Sequence, residues 1–216
     1  MKELLHQIKD LSELPVETLL PGDILLTNEQ ILQRIDELAE DVAKRYDGQK
    51  LTIIGLLKGA KPTVKHLIEA LHKINFHSIE YVDMEVHSRD NKLATKGQID
   101  IVQDVPTEML VGKNILLVDD IADTLTTYAG VANHFFPNGY NENGIASFST
   151  LSLLEKPILH DKELKKWVPL DFVGFKIPKV WVEGFGLDSF EFGRDNPNIV
   201  VGPTAGALAF NAAQIK

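Results

Sequence analysis

The chain has 216 residues and a formal net charge of −9 at pH 7. This acidic balance argues against nucleic acid or a membrane surface as a partner, because phosphate-rich surfaces bind lysine and arginine. The sequence contains no cysteine, which excludes disulfide frameworks, thiolate metal sites and cysteine nucleophiles. Neither a membrane-length apolar run nor the apolar core of a signal peptide is present. We therefore expect a cytoplasmic protein.

Helix and strand patterns alternate along the chain, which predicts an α/β fold with a mostly parallel sheet flanked by helices. Neither an internal repeat nor a linker divides the sequence, so we expect one domain with a small cap. A polar stretch over 87–98 lacks periodicity and is interpreted as a mobile loop. The predicted strands span 24–26, 51–57, 77–86, 99–102, 114–118, 144–153, 172–175, 180–182 and 199–201, and the predicted helices begin at 27 or 28, 62 and 126.

Several motifs that would assign a common enzyme class are incomplete. The segment 55–61 resembles a phosphate-binding loop, but its second glycine comes one residue early. The segment 184–189 lacks the third glycine of a dinucleotide-binding fingerprint. Neither H-E-x-x-H nor G-x-S-x-G occurs. Hydride transfer, metalloprotease and serine hydrolase chemistry therefore have no support.

The most informative segment is 115–127, where an apolar strand leads to acidic residues and then to a threonine-rich loop that opens a helix. Ligands of open α/β sheets bind at the carboxyl ends of strands, and a helix N-terminus favours phosphate. Carboxylates beside a phosphate would repel it unless sugar hydroxyls or a divalent cation occupied them. The segment thus predicts a ligand with phosphate at one end and hydroxyls or metal at the other.

A purely structural role for the same acids is the alternative. Asp123 or Thr124 would then cap a helix, and Asp119 and Asp120 would form a solvated strand end. Three acids within five positions after a buried strand favour the functional interpretation.

The segment 118–124, Val-Asp-Asp-Ile-Ala-Asp-Thr, resembles the phosphoribosyl pyrophosphate (PRPP) signature of type I phosphoribosyltransferases. Its Asp-Thr form resembles the hypoxanthine-guanine phosphoribosyltransferases in particular. Further matches follow in the family's order from about 24 to 202: a pyrophosphate loop at 56–59, a lid pair at 88–89, a base-reading lysine after 153–155, and a purine-binding hood and tail at 171–178, 181–188 and 191–195.

This resemblance implies the type I phosphoribosyltransferase fold, a single domain over 1–216. Its core would span about 40–170, and a hood from about 1–30 and 171–216 would cover the carboxyl ends of the strands. The implied reaction is purine salvage: Mg²⁺-dependent transfer of the 5-phosphoribosyl group from PRPP to hypoxanthine or guanine, with xanthine also possible. The products would be IMP or GMP and pyrophosphate. Relatives of this kind assemble as homodimers or homotetramers.

The resemblance also assigns roles to residues of the informative segment. Asp123 would handle the proton at the purine N7 as the catalytic acid or base. Asp119 and Asp120 would hold the ribose hydroxyls and Mg²⁺. The residues expected to cradle the 5′-phosphate are Asp123, Thr124, Leu125, Thr126 and Thr127.

Two further sets complete the implied site. The pyrophosphate set is Lys58, Gly59, Ser88, Arg89 and Arg194. The purine set is Lys156, which would donate to O6, Trp181, which would stack, Val182, which would offer backbone groups, and Asp188, which would serve a second Mg²⁺. Taken alone, the two lysines are typical surface residues and the tryptophan is a typical core aromatic.

Three positions depart from the family pattern. Leu125 stands where the phosphate loop normally has glycine, so its backbone must either keep a negative φ or store about 1–3 kcal/mol of strain. Arg89 replaces the lid tyrosine, and Trp181 replaces Phe or Tyr.

The loss of glycine at position 125 favours one alternative function, a non-catalytic regulator on the same fold that senses PRPP or nucleotide. A receiver-type signalling domain is not favoured, because the threonine-rich loop does not suit one and the residues after Asp120 are fewer than we expect of such a domain.

Overall fold

A computed structural model describes residues 9–88, 99–137, 144–157, 170–189 and 192–203. Its larger sheet has six strands in the order β4-β3-β2-β5-β6-β7, all parallel except β4. A second, antiparallel sheet has the order β1-β9-β8. The mostly parallel α/β architecture predicted from the sequence is confirmed. The strands are β1 Ile24–Leu26, β2 Leu51–Leu57, β3 Ile79–Ser88, β4 Ile99–Gln103, β5 Asn114–Ala122, β6 Ser147–Glu155, β7 Phe172–Lys176, β8 Val182–Glu183 and β9 Ile199–Val201.

In the part of the chain that the structure describes, three α-helices flank the larger sheet: α1 Asn28–Arg45, α2 Lys61–Lys73 and α3 Thr126–Phe135. Helix α1 begins with a capping box in which Thr27 and Gln30 bond each other's backbone N–H groups. Its predicted apolar face, which includes Ile31 and Val42, is buried. Within the described residues, none of the helices is long and apolar enough to cross a bilayer.

The larger sheet is buried on both faces because apolar side chains alternate between two cores. Leu116 and Val118 of β5 pack with α1 and α2, whereas Ile115 and Leu117 pack with α3. Successive side chains of a strand point to opposite faces, so a continuous apolar run is what a doubly covered strand requires. These two cores hold the carboxyl ends of the strands in place.

Some predicted boundaries differ from the structure. Strand β5 continues to Ala122 rather than 118, because its pairing with β6 extends from Asp119 opposite Ser152 to Ala122 opposite Glu155. Strand β3 continues through Ser88, and the rest of the predicted lid loop, with Arg89, lies outside the described residues. Strand β7 falls in the range expected for the hood, yet it pairs with β6 in the larger sheet.

The outer edge of β7 is covered by residues from the N-terminal part of the chain. Leu11 donates its N–H to the Lys176 carbonyl at 2.7 Å, and Asp10 pairs with Lys176 as a parallel bridge. The guanidinium of Arg34 donates to the carbonyls of Gly174 and Val173 at 2.9 and 2.8 Å. The backbone groups of this edge are therefore largely satisfied within the chain.

Candidate active site

A cavity of about 300 Å³ opens at the carboxyl ends of β2 and β5. Its walls come from both strand ends and from the loop that leads into α3, so it lies where open α/β sheets bind ligands. The lining residues are Leu56, Leu57, Val86, Asp119, Asp120, Ile121, Ala122, Asp123, Thr124, Leu125, Thr127 and Tyr128.

Two adjacent carboxylates line this cavity. Asp120 donates its backbone N–H to Asp119 Oδ1 at 2.9 Å, and both side chains are half-buried. Burial, reinforced by the neighbouring Asp120, raises the pKa of Asp119 well above its ordinary value. Burial also raises the pKa of Asp120, and this rise is opposed by a hydrogen bond with Asp119, by backbone hydrogen bonds and by the positive charge of Arg194. The pair resists double ionisation unless a cation lies beside it.

The loop after β2 approaches Asp120 so closely that any side chain at Gly59 would displace the Asp120 carboxylate. A Cβ atom at Gly59 would lie 1.6 Å from Asp120 Oδ2. Gly186, in the range predicted for the hood, sits against the same loop, since its Cβ would lie 2.2 Å from the Gly59 carbonyl oxygen. The neighbouring Leu57–Lys58 peptide bond is cis, and the Lys58 side chain is exposed. Gly59 therefore joins the acidic pair to the hood by direct backbone contact.

Asp123 and Lys156 form an ion pair beside the acidic pair. Their strands end at register partners, Ala122 and Glu155, so the next residue of each strand emerges side by side. Lys156 Nζ lies 3.0 Å from Asp123 Oδ2 and 6.0 Å from the centroid of the Trp181 ring. The Lys156 side chain is only 9% exposed, whereas that of Asp123 is 50% exposed. A carboxylate, an ammonium and an aromatic ring thus border one space.

The hood supplies the remaining predicted residues. Trp181 precedes β8, is 50% exposed, and donates its indole N–H to Ser189 Oγ at 2.7 Å. Val182 is buried in β8 opposite Val201 of β9. Asp188 and Arg194 form an ion pair at 2.7 Å. The structure thus places Trp181 and Val182 at the start of β8 and the Asp188–Arg194 ion pair in the segment that follows it.

The loop into α3 holds Leu125 in the left-handed conformation, with φ 59° and ψ 3°. Of the two conformations that the sequence allowed, this is the strained one, at about 1–3 kcal/mol. The side chain is only 3% exposed and packs in the core beneath the loop with Tyr128. Above it, Thr124 and Thr126 bond through their hydroxyls at 3.0 Å. The loop keeps a glycine-like backbone while anchoring a leucine side chain.

Tyr128 is a residue of the cavity that the sequence reasoning missed. It is 1% exposed and donates its hydroxyl to the Leu151 carbonyl at 3.3 Å. Burial and the nearby Asp119 raise the pKa of its phenol. A tyrosine four residues after the loop threonine occupies the inner face of the helix, and this spacing is the signal that could have indicated it.

The family match covers most of the chain. The phosphoribosyl transferase domain matches residues 21–190. This chain belongs to the phosphoribosyltransferase family. It is 32% identical over 180 residues to the hypoxanthine-guanine phosphoribosyltransferase of Dictyostelium discoideum, which spans 81% of this chain and 92% of the relative. The corresponding enzyme of Aquifex aeolicus is 31% identical over 82% of this chain and 92% of its own length.

Solved structures agree with this family assignment. A hypoxanthine phosphoribosyltransferase of Trypanosoma cruzi matches with a TM-score of 0.74 and 27% identity, over 92% of this chain and all of that one. One from Staphylococcus aureus matches with a TM-score of 0.70 and 28% identity, over 84% of this chain and 91% of that one. The resemblance seen in the sequence is confirmed at the level of family and fold.

The acidic pair of this phosphoribosyltransferase is suited to Mg²⁺ that is shared with a substrate. Among the residues that the structure describes, no cluster of three or more acidic or histidine side chains is placed to hold a metal. Mg²⁺ commonly uses one or two carboxylates and takes its other ligands from phosphate oxygens and water. Asp119 and Asp120 meet that requirement, because a cation beside them would favour the ionised forms that burial disfavours.

Proposed function

We propose that this chain catalyses Mg²⁺-dependent transfer of the 5-phosphoribosyl group from PRPP to hypoxanthine or guanine, forming IMP or GMP and pyrophosphate. Xanthine is a further candidate base. The relatives named above support the reaction class. The observation that carries the proposal is the grouping of Asp123, Lys156 and Trp181 around one space beside the acidic pair.

The base would lie in that space, with each of the three residues reading a different feature. The half-exposed Trp181 ring offers a flat surface for stacking. The Lys156 ammonium only donates hydrogen bonds, so it suits the O6 carbonyl of a 6-oxopurine and opposes an amino group there. Asp123 then holds the proton of N7. Backbone groups of Val182 complete the set at the base edge.

PRPP would occupy the cavity next to the base. Its 5′-phosphate fits the start of α3, where Thr124 and Thr126 present hydroxyls and the N-cap residue Leu125 has no side chain that caps the first turn. Leu125 contributes backbone there, and Thr127 lines the same cavity. The ribose hydroxyls then face Asp119 and Asp120, which accounts for acids beside a phosphate site.

Negative charge grows on the pyrophosphate leaving group as its bond to the ribose C1 breaks, and this charge must be stabilised. Bound Mg²⁺ supplies charge neutralisation of the diphosphate oxygens. Asp119 and Asp120 would hold it, and Asp188 would serve a second ion next to Arg194. Lys58 and the backbone of Gly59 would bind the pyrophosphate, and Ser88 and Arg89 would close over it.

The test is an absorbance assay with PRPP and Mg²⁺ and four bases in parallel: hypoxanthine, guanine, xanthine and adenine. We expect nucleotide formation with a 6-oxopurine and its loss in Asp123→Asn. Asp36→Asn is the matched control, since Asp36 is a half-exposed carboxylate on α1. Absence of turnover with every base, combined with PRPP binding measured by calorimetry, would refute the enzyme and favour the PRPP-sensing regulator.

Assembly and compartment are part of the same proposal. The C-terminal region of the Trypanosoma cruzi protein has been examined for its role in oligomeric state and enzymatic activity. We expect a homodimer or homotetramer here, and a cytoplasmic location. Light scattering after size exclusion measures the first, and fractionation measures the second.

A further inference from the structure

We infer that Ser189 is a positioning residue for the base, because it fixes the indole ring of Trp181 in the orientation that stacks on a purine. The inference rests on the proposed function. Trp181 Nε1 donates to Ser189 Oγ at 2.7 Å, and Ser189 is only 5% exposed. The contact is therefore a short, nearly buried hydrogen bond to a ring that is itself 50% exposed.

The indole needs such a partner because its own torsions do not fix it. Rotation about the bond between Cβ and the ring is broad for tryptophan. A half-exposed ring also lacks the close packing that restricts core aromatics. A directional bond at Nε1 selects one ring orientation, and a stacking surface is useful only when its plane is held.

The hydroxyl that accepts this bond is itself held by backbone pairing. Ser189 donates its N–H to the Phe192 carbonyl at 2.9 Å, and Phe192 donates back to Ser189 at 3.1 Å. This antiparallel bridge fixes the serine backbone and so the position of Oγ. Ser189 therefore acts as a rigid anchor for the ring.

Gly202 lies against the same edge of the Trp181 ring, and together with Ser189 it forms what we call the clamp of this ring. It donates its N–H to the Trp181 carbonyl at 2.9 Å, and a Cβ there would lie 2.4 Å from Trp181 Cδ1 and 3.3 Å from Ser189 Oγ. Only glycine lets the Cδ1–Nε1 edge of the ring reach the serine. The ring is thus held by that edge, while Lys156 Nζ, 6.0 Å from its centroid, marks the side shared with Asp123.

Removal of the hydroxyl should weaken base binding and leave PRPP binding intact. We expect Ser189→Ala to raise the KM for hypoxanthine roughly fivefold, the effect of losing one ordinary hydrogen bond. The KM for PRPP and kcat should change less than about twofold. Ser189→Thr keeps the hydroxyl and should restore the base KM.

Two controls separate positioning from general destabilisation. Ser149→Ala removes another buried hydroxyl. Ser149 is 5% exposed, lies near the start of β6 and accepts a hydrogen bond from Arg45 at 2.8 Å. It should leave the base KM unchanged. Trp181→Phe keeps an aromatic face without an N–H, so Ser189→Ala should have no further effect on base KM in that background.

A spectroscopic readout tests the clamp without turnover. Trp167 is the other tryptophan of the sequence, so a Trp167→Phe background reports on Trp181 alone. Ser189→Ala should lower the fluorescence anisotropy of Trp181, and Ser189→Thr should not. If the wild type forms no nucleotide, the proposed function fails and this measurement still decides the positioning. An unchanged anisotropy, an unchanged base KM, or an effect that persists in Trp181→Phe overturns the inference.

Discussion

Lys156 and Asp123 form an ion pair at 3.0 Å in which the cation is nearly buried and the anion is half-exposed. The exposed carboxylate is free to turn towards a base, whereas the ammonium is held by its surroundings. Lys156 thereby balances the charge of the proposed acid–base residue and at the same time presents a donor to the purine. This double duty makes it the most informative single position to change.

Lys156→Met should lower kcat/KM for hypoxanthine about 100-fold, because a charged hydrogen bond contributes roughly 1.5–3 kcal/mol. Discrimination against adenine should also shrink, since the donor that opposes an amino group is gone. Parallel assays with both bases measure this, with Lys73→Met as the control because that lysine is 69% exposed on α2. An equal loss for hypoxanthine and for PRPP affinity would contradict the base-reading role.

Asp119→Asn should stabilise the folded protein at pH 8 while it abolishes turnover. Burial and Asp120 raise the folded-state pKa above the ordinary 3.8, so the folded form binds the proton more tightly than the unfolded chain. The stability that the Asp119 proton contributes is fully present below the pKa of the unfolded chain, and it is lost as the pH rises through the raised pKa of the folded protein. We expect a Tm gain of a few degrees, roughly 2–4 °C per kcal/mol, that narrows towards pH 4.

The control for this pH dependence is Asp36→Asn, a change at an exposed carboxylate. Its Tm difference from the wild type should stay small and flat between pH 4 and pH 8. A lower Tm for Asp119→Asn than for the wild type at pH 8 would show that the acidic pair stabilises the fold.

At Leu125 we expect the glycine variant to be more stable than the alanine variant. Glycine in place of alanine destabilises a helix interior, but Leu125 is the N-cap of α3, and at its φ of 59° alanine is strained and glycine is not. Both variants lose the buried leucine side chain, which costs about 2–5 kcal/mol. We expect Leu125→Ala to be less stable than Leu125→Gly by about 1 kcal/mol in urea unfolding. The opposite order would mean that the loop does not keep its left-handed residue.

Gly59→Ala should reduce kcat strongly with little loss of helix or sheet structure. The added Cβ would lie 1.6 Å from Asp120 Oδ2, so the carboxylate must leave its place. Steady-state kinetics and far-ultraviolet circular dichroism measure the two effects. Gly48→Ala is the control: its φ of 68° strains an alanine, but a Cβ there meets nothing within 4 Å, so it should lower stability and leave kcat unchanged. Unchanged kcat in Gly59→Ala would show that Asp120 has no role where it stands.

Local sequence patterns were enough to predict the helices and strands whose ends are set by nearby residues. The apolar spacing and threonine cap of α1 predicted its start and its buried face. The apolar run of β2 predicted both of its ends. The end of β5 was missed because residues 119–122 pair through their backbone, and backbone pairing is indifferent to the polar side chains it carries.

The candidate site likewise contains residues that local sequence predicts and contacts that it does not. Asp119, Asp120 and the threonine loop are consecutive in sequence and were predicted from spacing. The contact between Lys156 and Asp123 depends on the pairing of Ala122 in β5 with Glu155 in β6, two strands that are distant in sequence. The bond from Trp181 to Ser189 depends on a glycine at 202, across a different strand. Such relationships arise only when distant segments are folded together.

The covering of β7 gives the first described residues of the chain a protective role. Unpaired strand edges recruit other chains, and here Leu11 and Arg34 occupy groups that would otherwise do so. Proteolytic trimming to Ser12 would remove one layer of this cover while leaving the cavity untouched. A trimmed enzyme should therefore aggregate on storage before it loses its chemistry, and shelf life would depend on a segment far in sequence from the strand it shields.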